Sequence, residues 1–211
     1  MNPLFSLCFK PRDLIPDMAH SVEGLQGLSK LYDRIYTETT SIIEKAGLKC
    51  PPLCGKCCNT PSSNIEVTVF EMLLPAIELW KKGEAPAIME RLEKSSSKSR
   101  CILFIPLQAP DSGRCGMYHN RALICRLFGI AGHFDKYQKI QFSPCLEIKK
   151  ETPDKETEVQ KMLTNGLSMP VFSLYRERVY ALNPLLTEKL YPINTALRRA
   201  LERVGFYLMY S

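Results

Sequence analysis

Four cysteines fall within the nine-residue run Cys50-Pro51-Pro52-Leu53-Cys54-Gly55-Lys56-Cys57-Cys58, and no other stretch narrows the choice of folds as much. The spacing is Cys-x3-Cys-x2-Cys-Cys. Four more follow singly: Cys101, Cys115, Cys125 and Cys145. Thiolates packed this closely repel one another unless a cation lies among them, and soft sulfur ligands select zinc, copper(I) or iron–sulfur clusters. Disulfides fit the pattern poorly. The chain's nine cysteines are an odd number, and joining the neighbours Cys57 and Cys58 would strain the peptide between them. Met1 to Lys10 has no basic start and only a brief apolar stretch, so no signal peptide is expected. Cys8 follows Leu4 at a lipobox-like distance, but no hydrophobic region precedes it, and it reads as an ordinary thiol. These features point to a reducing, cytoplasmic setting, where clustered cysteines more often bind metal.

A length of 211 residues suits one domain, 1–211, with a cysteine-cluster core over about 48–148 and a helical C-terminal cover over about 153–211. The expected fold class is α+β and mainly helical. A small β-hairpin and an irregular cysteine-rich metal-binding core are covered by N- and C-terminal helices. No apolar run approaches the roughly 18–20 residues that cross a bilayer, so no membrane is expected. The formal charge of +6 hints at nucleic acid. The basic residues are dispersed, however, and each tetrathiolate zinc site would carry about −2, so nucleic acid is not the expected partner.

The periodicity is helical from about Ser21. Leu25, Leu28, Tyr32, Ile35, Thr39, Ile42 and Ala46 recur at three- and four-residue steps, and Gly47 is placed to end the helix. Thr68-x-x-Glu71 reads as a capping box that opens a second helix, with a kink or break at Pro75. A third helix spans about Ala85 to Lys94, followed by a serine-rich loop expected to be mobile. Cys101 to Ile105 is the best strand candidate, with a return strand from Arg114 to Tyr118 after a turn over Ala109 to Gly113. Asn120 is placed to cap a short helix from Arg121 to Phe128, closed by Gly129. Another strand is expected over Tyr137 to Phe142. Beyond Lys149 the composition shifts to helices, one carrying Val171, Leu174, Tyr175, Val179 and Leu182, another Leu197, Ala200, Leu201 and Val204.

The run Cys50–Cys58, the lone cysteine before an apolar stretch, and then "GRCGMYHNRALICRLF" resemble the YkgJ-type cysteine-cluster family of zinc- or iron-chelating proteins. Cys115, Tyr118, Arg121, Cys125 and Arg126 occupy the family's positions, and Ala122 stands where Pro is usual. The resemblance covers roughly Cys50 to Cys145. Bacterial flagellin lysine methylases have a similar cysteine cluster and carry an iron–sulfur cluster, which makes an S-adenosylmethionine methyltransferase one reading of the chain.

The candidate metal ligands are Cys50, Cys54, Cys57, Cys58, Cys115 and Cys125, then Cys145, then Cys101. The same set satisfies a [4Fe-4S] cluster or Zn2+. The Cys57-Cys58 doublet is awkward for one metal, and one of the pair is open to a second site. Cys50-x3-Cys54-x2-Cys57 also has the radical S-adenosylmethionine spacing, but it follows a helix where that chemistry needs a strand. Arg121 and Arg126 are candidates to offset the anionic thiolates, and Tyr118 to pack over the site. His119 and His133 could complete a zinc site or act as acid–base groups, but with eight sulfurs at hand a surface or packing role is expected. Two function classes follow: a non-catalytic metalloprotein with a structural, redox or metal-handling role, and a cluster-dependent methyltransferase. A zinc-stabilised module that binds a protein partner is a third.

Overall fold

Helix α1, Leu25–Ala46, buries the predicted stripe from Leu25 to Ala46. It starts four residues later than the periodicity suggests, because Gly24 takes the left-handed conformation (φ 79°), and it ends at Gly47 (φ 60°). This computed structural model describes residues 22–51, 53–108 and 112–210. Cys8 and the lead-in before Ser21 lie outside the described residues, as does most of the turn expected over 109–113.

Strand β1, Glu66–Thr68, runs directly into helix α2, Val69–Lys82. The reciprocal capping box holds: the Glu71 N–H donates to Thr68 Oγ1 at 3.2 Å, and the Thr68 N–H donates to Glu71 Oε2 at 3.0 Å. Helix α2 continues through Pro75, which is buried, and no break occurs. Helix α3, Ala85–Glu93, leads to the serine-rich loop. That loop is tied down, with the Ser99 carbonyl accepting from Ser62 N–H at 2.7 Å and Ser95 Oγ donating to the Leu92 carbonyl at 2.7 Å.

The expected strand at Cys101 is displaced. Strand β2 is Phe104–Pro106, and Cys101 opens a turn that the Phe104 N–H closes on the Cys101 carbonyl at 3.0 Å. A side chain takes the place of a strand partner here. Asn194, buried, accepts from the Ile102 N–H at 2.9 Å and donates to the Arg100 carbonyl at 2.9 Å. The hairpin survives, with β3, Gly113–Cys115, pairing Phe104 with Cys115. It stops short of Tyr118, which lies in a 3-10 turn, Tyr118–Asn120.

Helix α4, Leu123–Leu127, is followed by a second hairpin, β4 (Gly132–Phe134) with β5 (Ile140–Phe142). The chain continues through α5 (Leu146–Glu151), α6 (Lys155–Thr164), α7 (Phe172–Leu182), α8 (Pro184–Thr187), β6 (Leu190–Pro192) and α9 (Ile193–Tyr210). Strand β6 pairs antiparallel with β1, a link between the two ends of the chain that periodicity does not reveal. Helix α9 lies along α2 and buries Leu197, Ala200, Leu201 and Val204, as predicted. Its close approach needs Gly205, where a Cβ would come within 2.7 Å of the Trp80 ring. The molecule is therefore α+β and mainly helical, with small two-stranded antiparallel sheets. No helix among the described residues is long and apolar enough to cross a membrane.

Two hydrophobic clusters form. The larger gathers α2, α9 and the first part of α1. The smaller gathers Ile42, Ala46, Leu48, Phe142, Ile148, Val159 and Met169. Helix α1 spans both, and Cys50 follows closely after its end.

Candidate metal centre

The loop that carries Cys50 to Cys58 is stitched to the β2–β3 hairpin. Leu53 takes a left-handed conformation (φ 57°), uncommon for a side-chain-bearing residue, and its carbonyl accepts from the Gly113 N–H at 2.9 Å. Cys54 forms a single antiparallel bridge with Ser112. Two glycines permit the approach. A Cβ on Gly55 would lie 2.8 Å from the Phe104 ring, and one on Gly113 would lie 2.4 Å from it. Lys56–Cys58 then makes a 3-10 turn that leaves the Cys57 and Cys58 sulfurs 3.8 Å apart.

Helix α4 delivers Cys125 and Arg126. It begins at Leu123, two residues after the expected start, and Asn120 does not cap it. Asn120 Nδ2 donates to Glu78 Oε2 instead. The cap comes from another helix. Glu71, 5% exposed, accepts from the Leu123 N–H at 2.8 Å through Oε1. The same oxygen accepts from the Tyr32 hydroxyl at 3.3 Å. One buried carboxylate therefore joins α1, the start of α2 and the start of α4. Burial and the nearby Glu71 hold the Tyr32 hydroxyl well above the ordinary tyrosine range.

Ala122 takes φ −62° and ψ 161°, and Arg121 before it takes φ −66° and ψ 147°. These are the conformations of a proline and of the residue preceding one. Ala122→Pro is expected to stabilise the chain by about 0.4–1 kcal/mol, through a less flexible unfolded state. A lower midpoint in urea denaturation would show that the ring does not fit the buried site.

Gly129 (φ 75°) closes the approach of the last cysteine. A Cβ there would stand 3.0 Å from Cys145 Cβ and 3.1 Å from its nitrogen.

Seven cysteines thus face one space. Cys50, Cys54, Cys57, Cys58, Cys115, Cys125 and Cys145 line one cavity of about 590 Å³, together with Tyr118, Arg121 and Arg126. Cys101 is buried beneath it, on a void of about 20 Å³ that Cys58, Cys115 and Cys125 also line. Neither His119 nor His133 lines the cavity; both are exposed, one in the 3-10 turn and the other on β4. Sequence reasoning missed Ile43, Phe104 and Phe128 on the cavity wall, and the Glu71–Tyr32 support beneath α4. The capping box was the one sequence signal that singled out Glu71.

The arginines are held in place. Arg121 Nε donates to the Tyr118 carbonyl at 3.2 Å, and its guanidinium lies 3.7 Å from the Tyr118 ring centre. Arg126 Nε donates to the Arg121 carbonyl at 2.8 Å, a second nitrogen donates to the His119 carbonyl, and the guanidinium rests on the Tyr32 ring at 4.1 Å. Arg121 sits within the electrostatic reach of Cys50, Cys57, Cys115 and Cys125.

The eight described cysteines are free thiols. Burial pushes the Cys101 and Cys125 thiols up to about 12, and it raises Cys50 and Cys115 as well. Cys57 is lowered to about 6, because the Cys58 thiol donates to it, and Cys58 is raised correspondingly. Among the described residues, no three Cys, His, Asp or Glu side chains are grouped so as to hold a metal ion. The donor set suits a thiophilic metal in type and location. Closing the sulfurs on a metal requires side-chain rotation or loop movement.

The pH dependence follows from the raised thiols. Below their pKa each must lose a proton to bind a metal, so apparent affinity is expected to rise about tenfold per pH unit for each proton displaced. Without metal the sign reverses. A thiol raised from 9.0 to about 12 contributes stability that is complete below pH 9 and lost as pH rises towards 12. Cobalt(II) titration between pH 6 and 8 checks the first statement, and alkaline unfolding of metal-free protein checks the second.

A mainly helical α+β scaffold that gathers cysteine thiols around one cavity defines a cysteine-rich metal-chelating protein. The family model CxxCxxCC, described as "Putative zinc- or iron-chelating domain", matches residues 49–161, more than half of the chain. The chain belongs to this family. Searches of curated proteins and of solved structures found no match.

Proposed function

We propose that this protein holds a [4Fe-4S] cluster on the cysteines of the larger cavity and serves a structural, redox or metal-handling role. The observation that carries the reading is seven cysteines, from segments almost a hundred residues apart, lining about 590 Å³. A single zinc ion in a closed tetrahedral site needs no such space, whereas a polynuclear cluster does. Cys50, Cys54, Cys57, Cys58, Cys115, Cys125 and Cys145, with Cys101 beneath, are the proposed ligands. When bound, the cluster would supply one-electron chemistry or a structural cross-link. The chain's own part is to present deprotonated sulfurs, to offset their charge with Arg121 and Arg126, and to cover them with Tyr118. Free thiols and the absence of any paired cysteine among the described residues suit a reducing compartment such as the cytoplasm.

The cavity's size supports a second reading, a cluster-dependent methyltransferase, because about 590 Å³ falls within the range of small-molecule sites. Calorimetric titration with S-adenosylmethionine tests it, and no binding to cluster-loaded protein removes it.

Anaerobic purification with iron, zinc and acid-labile sulfide analysis tests the main reading. Brown protein with iron and sulfide, bleaching in air, is the expected result. Colourless protein with stoichiometric zinc and no iron after anaerobic reconstitution would replace the cluster with zinc. Arg121→Gln is expected to shift the reduction potential or speed metal loss to a chelator, and unchanged values would return Arg121 to a solvated face.

A further inference from the structure

We propose that the eight cysteines divide into two sets of four, an inner set that holds a single metal ion and an outer set that holds the cluster. The inner set is Cys58, Cys101, Cys115 and Cys125. The outer set is Cys50, Cys54, Cys57 and Cys145. The proposal rests on the metal-binding reading above and assigns a second site within it.

The first argument is where the side chains open. All four inner cysteines line the void of about 20 Å³, and none of the outer four does. That void has room for one water-sized body, since about 10–15 Å³ suffices for a single water. It suits one ion and excludes a polynuclear cluster. The outer four line the cavity of about 590 Å³ and not the void, Cys58, Cys115 and Cys125 line both, and Cys101 lines the void alone.

The second argument is packing. Cys101, Cys115 and Cys125 belong to or pack against the larger hydrophobic cluster. Cys145 packs against the smaller one. Three of the inner cysteines and one of the outer four therefore sit on different cores.

The third argument concerns the Cys57-Cys58 doublet. The doublet's 3.8 Å sulfur separation does not divide the sets by itself. Two thiolates on one zinc, with Zn–S bonds of about 2.3 Å, would stand roughly as far apart. The difference in lining divides them: Cys58 reaches the inner void and Cys57 does not. Adjacent residues that serve different sites also remove the strain of two neighbouring side chains turning to one metal.

Arg121 lines both spaces. Two anionic centres would repel, and a guanidinium between them offsets part of that repulsion. Occupying the inner site takes one divalent ion, zinc or iron, and releases a proton from each inner thiol that is protonated, with no change of oxidation state.

Native mass spectrometry of the full chain, purified anaerobically, with metal and sulfide analysis, tests the division. The expected wild-type mass carries one cluster and one additional metal ion, which elemental analysis identifies as zinc or iron. Cys101→Ser and Cys58→Ser should lose that ion and keep the sulfide. Cys54→Ser and Cys145→Ser should lose the sulfide and keep the ion. Equal losses from Cys101→Ser and Cys145→Ser, or from Cys57→Ser and Cys58→Ser, overturn the division. Should the inner variants fail to fold, the wild-type mass decides: a cluster with no further ion overturns the second site and leaves the proposed function standing. Two zinc ions, one lost from each set of variants, keep the division and replace the cluster. A wild-type chain with no metal overturns both.

Discussion

Glu71→Ala is expected to lower the stability of the chain by about 3–5 kcal/mol, the scale of losing a buried polar hub. The substitution strips acceptors from four donors at once: the Leu123 N–H, the Thr68 N–H, the Thr68 hydroxyl and the Tyr32 hydroxyl. Each would be buried without a partner. Glu71→Gln should cost less, about 1–2 kcal/mol, because one oxygen keeps its two donors, and of the two that then face the amide NH2 one is a hydroxyl that can turn to accept. The larger consequence lies at the thiols. Helix α4 is only five residues long and has no side-chain cap of its own, so Glu71 supplies its start. Metal retention by Cys125 should weaken in Glu71→Ala beyond what the stability loss accounts for. Urea denaturation read beside chelator competition separates the two effects. Unchanged metal retention at reduced stability would make Glu71 a fold residue alone.

Removing the metal should loosen one region and spare another. Saturating metal at about a thousand times its dissociation constant stabilises a native site by about 4 kcal/mol. For a chain of this length that corresponds to a melting temperature higher by roughly 10 °C. The loss on chelation should be local. Among the described residues, the loop around Cys54 joins the hairpin through the Gly113 N–H to Leu53 carbonyl bond and the Cys54–Ser112 bridge, and α4 is short. The α2–α9 pair is deeply packed through its own apolar side chains. Hydrogen exchange of metal-free protein should therefore quicken over 50–58 and 113–145 while α2 and α9 stay protected. Uniform protection with and without metal would mean that the cysteines do not organise this part of the chain.

Local chemistry was legible in the residues because short-range forces produce it. The seven-residue stripe of α1 appears in the structure without an error, since helical periodicity and burial are one constraint. The Thr68–Glu71 box was readable because both partners lie within one turn. The errors fall where a distant group intervenes. Cys101–Leu103 has the composition of a strand, but Asn194 on α9 satisfies the neighbouring backbone, so the strand starts at Phe104. Asn120 has the right chemistry for a cap, yet Glu78 claims its amide and Glu71 caps α4 across fifty-two residues.

The same division holds for the site. Spacing and residue type alone marked Cys50 to Cys58 as a soft-metal ligand set, because thiol chemistry belongs to the side chain wherever it lies. Which thiols share a space was decided only in three dimensions. Gly55 and Gly113 had to close over the Phe104 ring, and Gly129 had to turn left-handed beside Cys145, before the separate cysteines could meet. Those contacts depend on backbone approach distances of about 3 Å between residues far apart in the chain, and one-dimensional spacing carries no record of them.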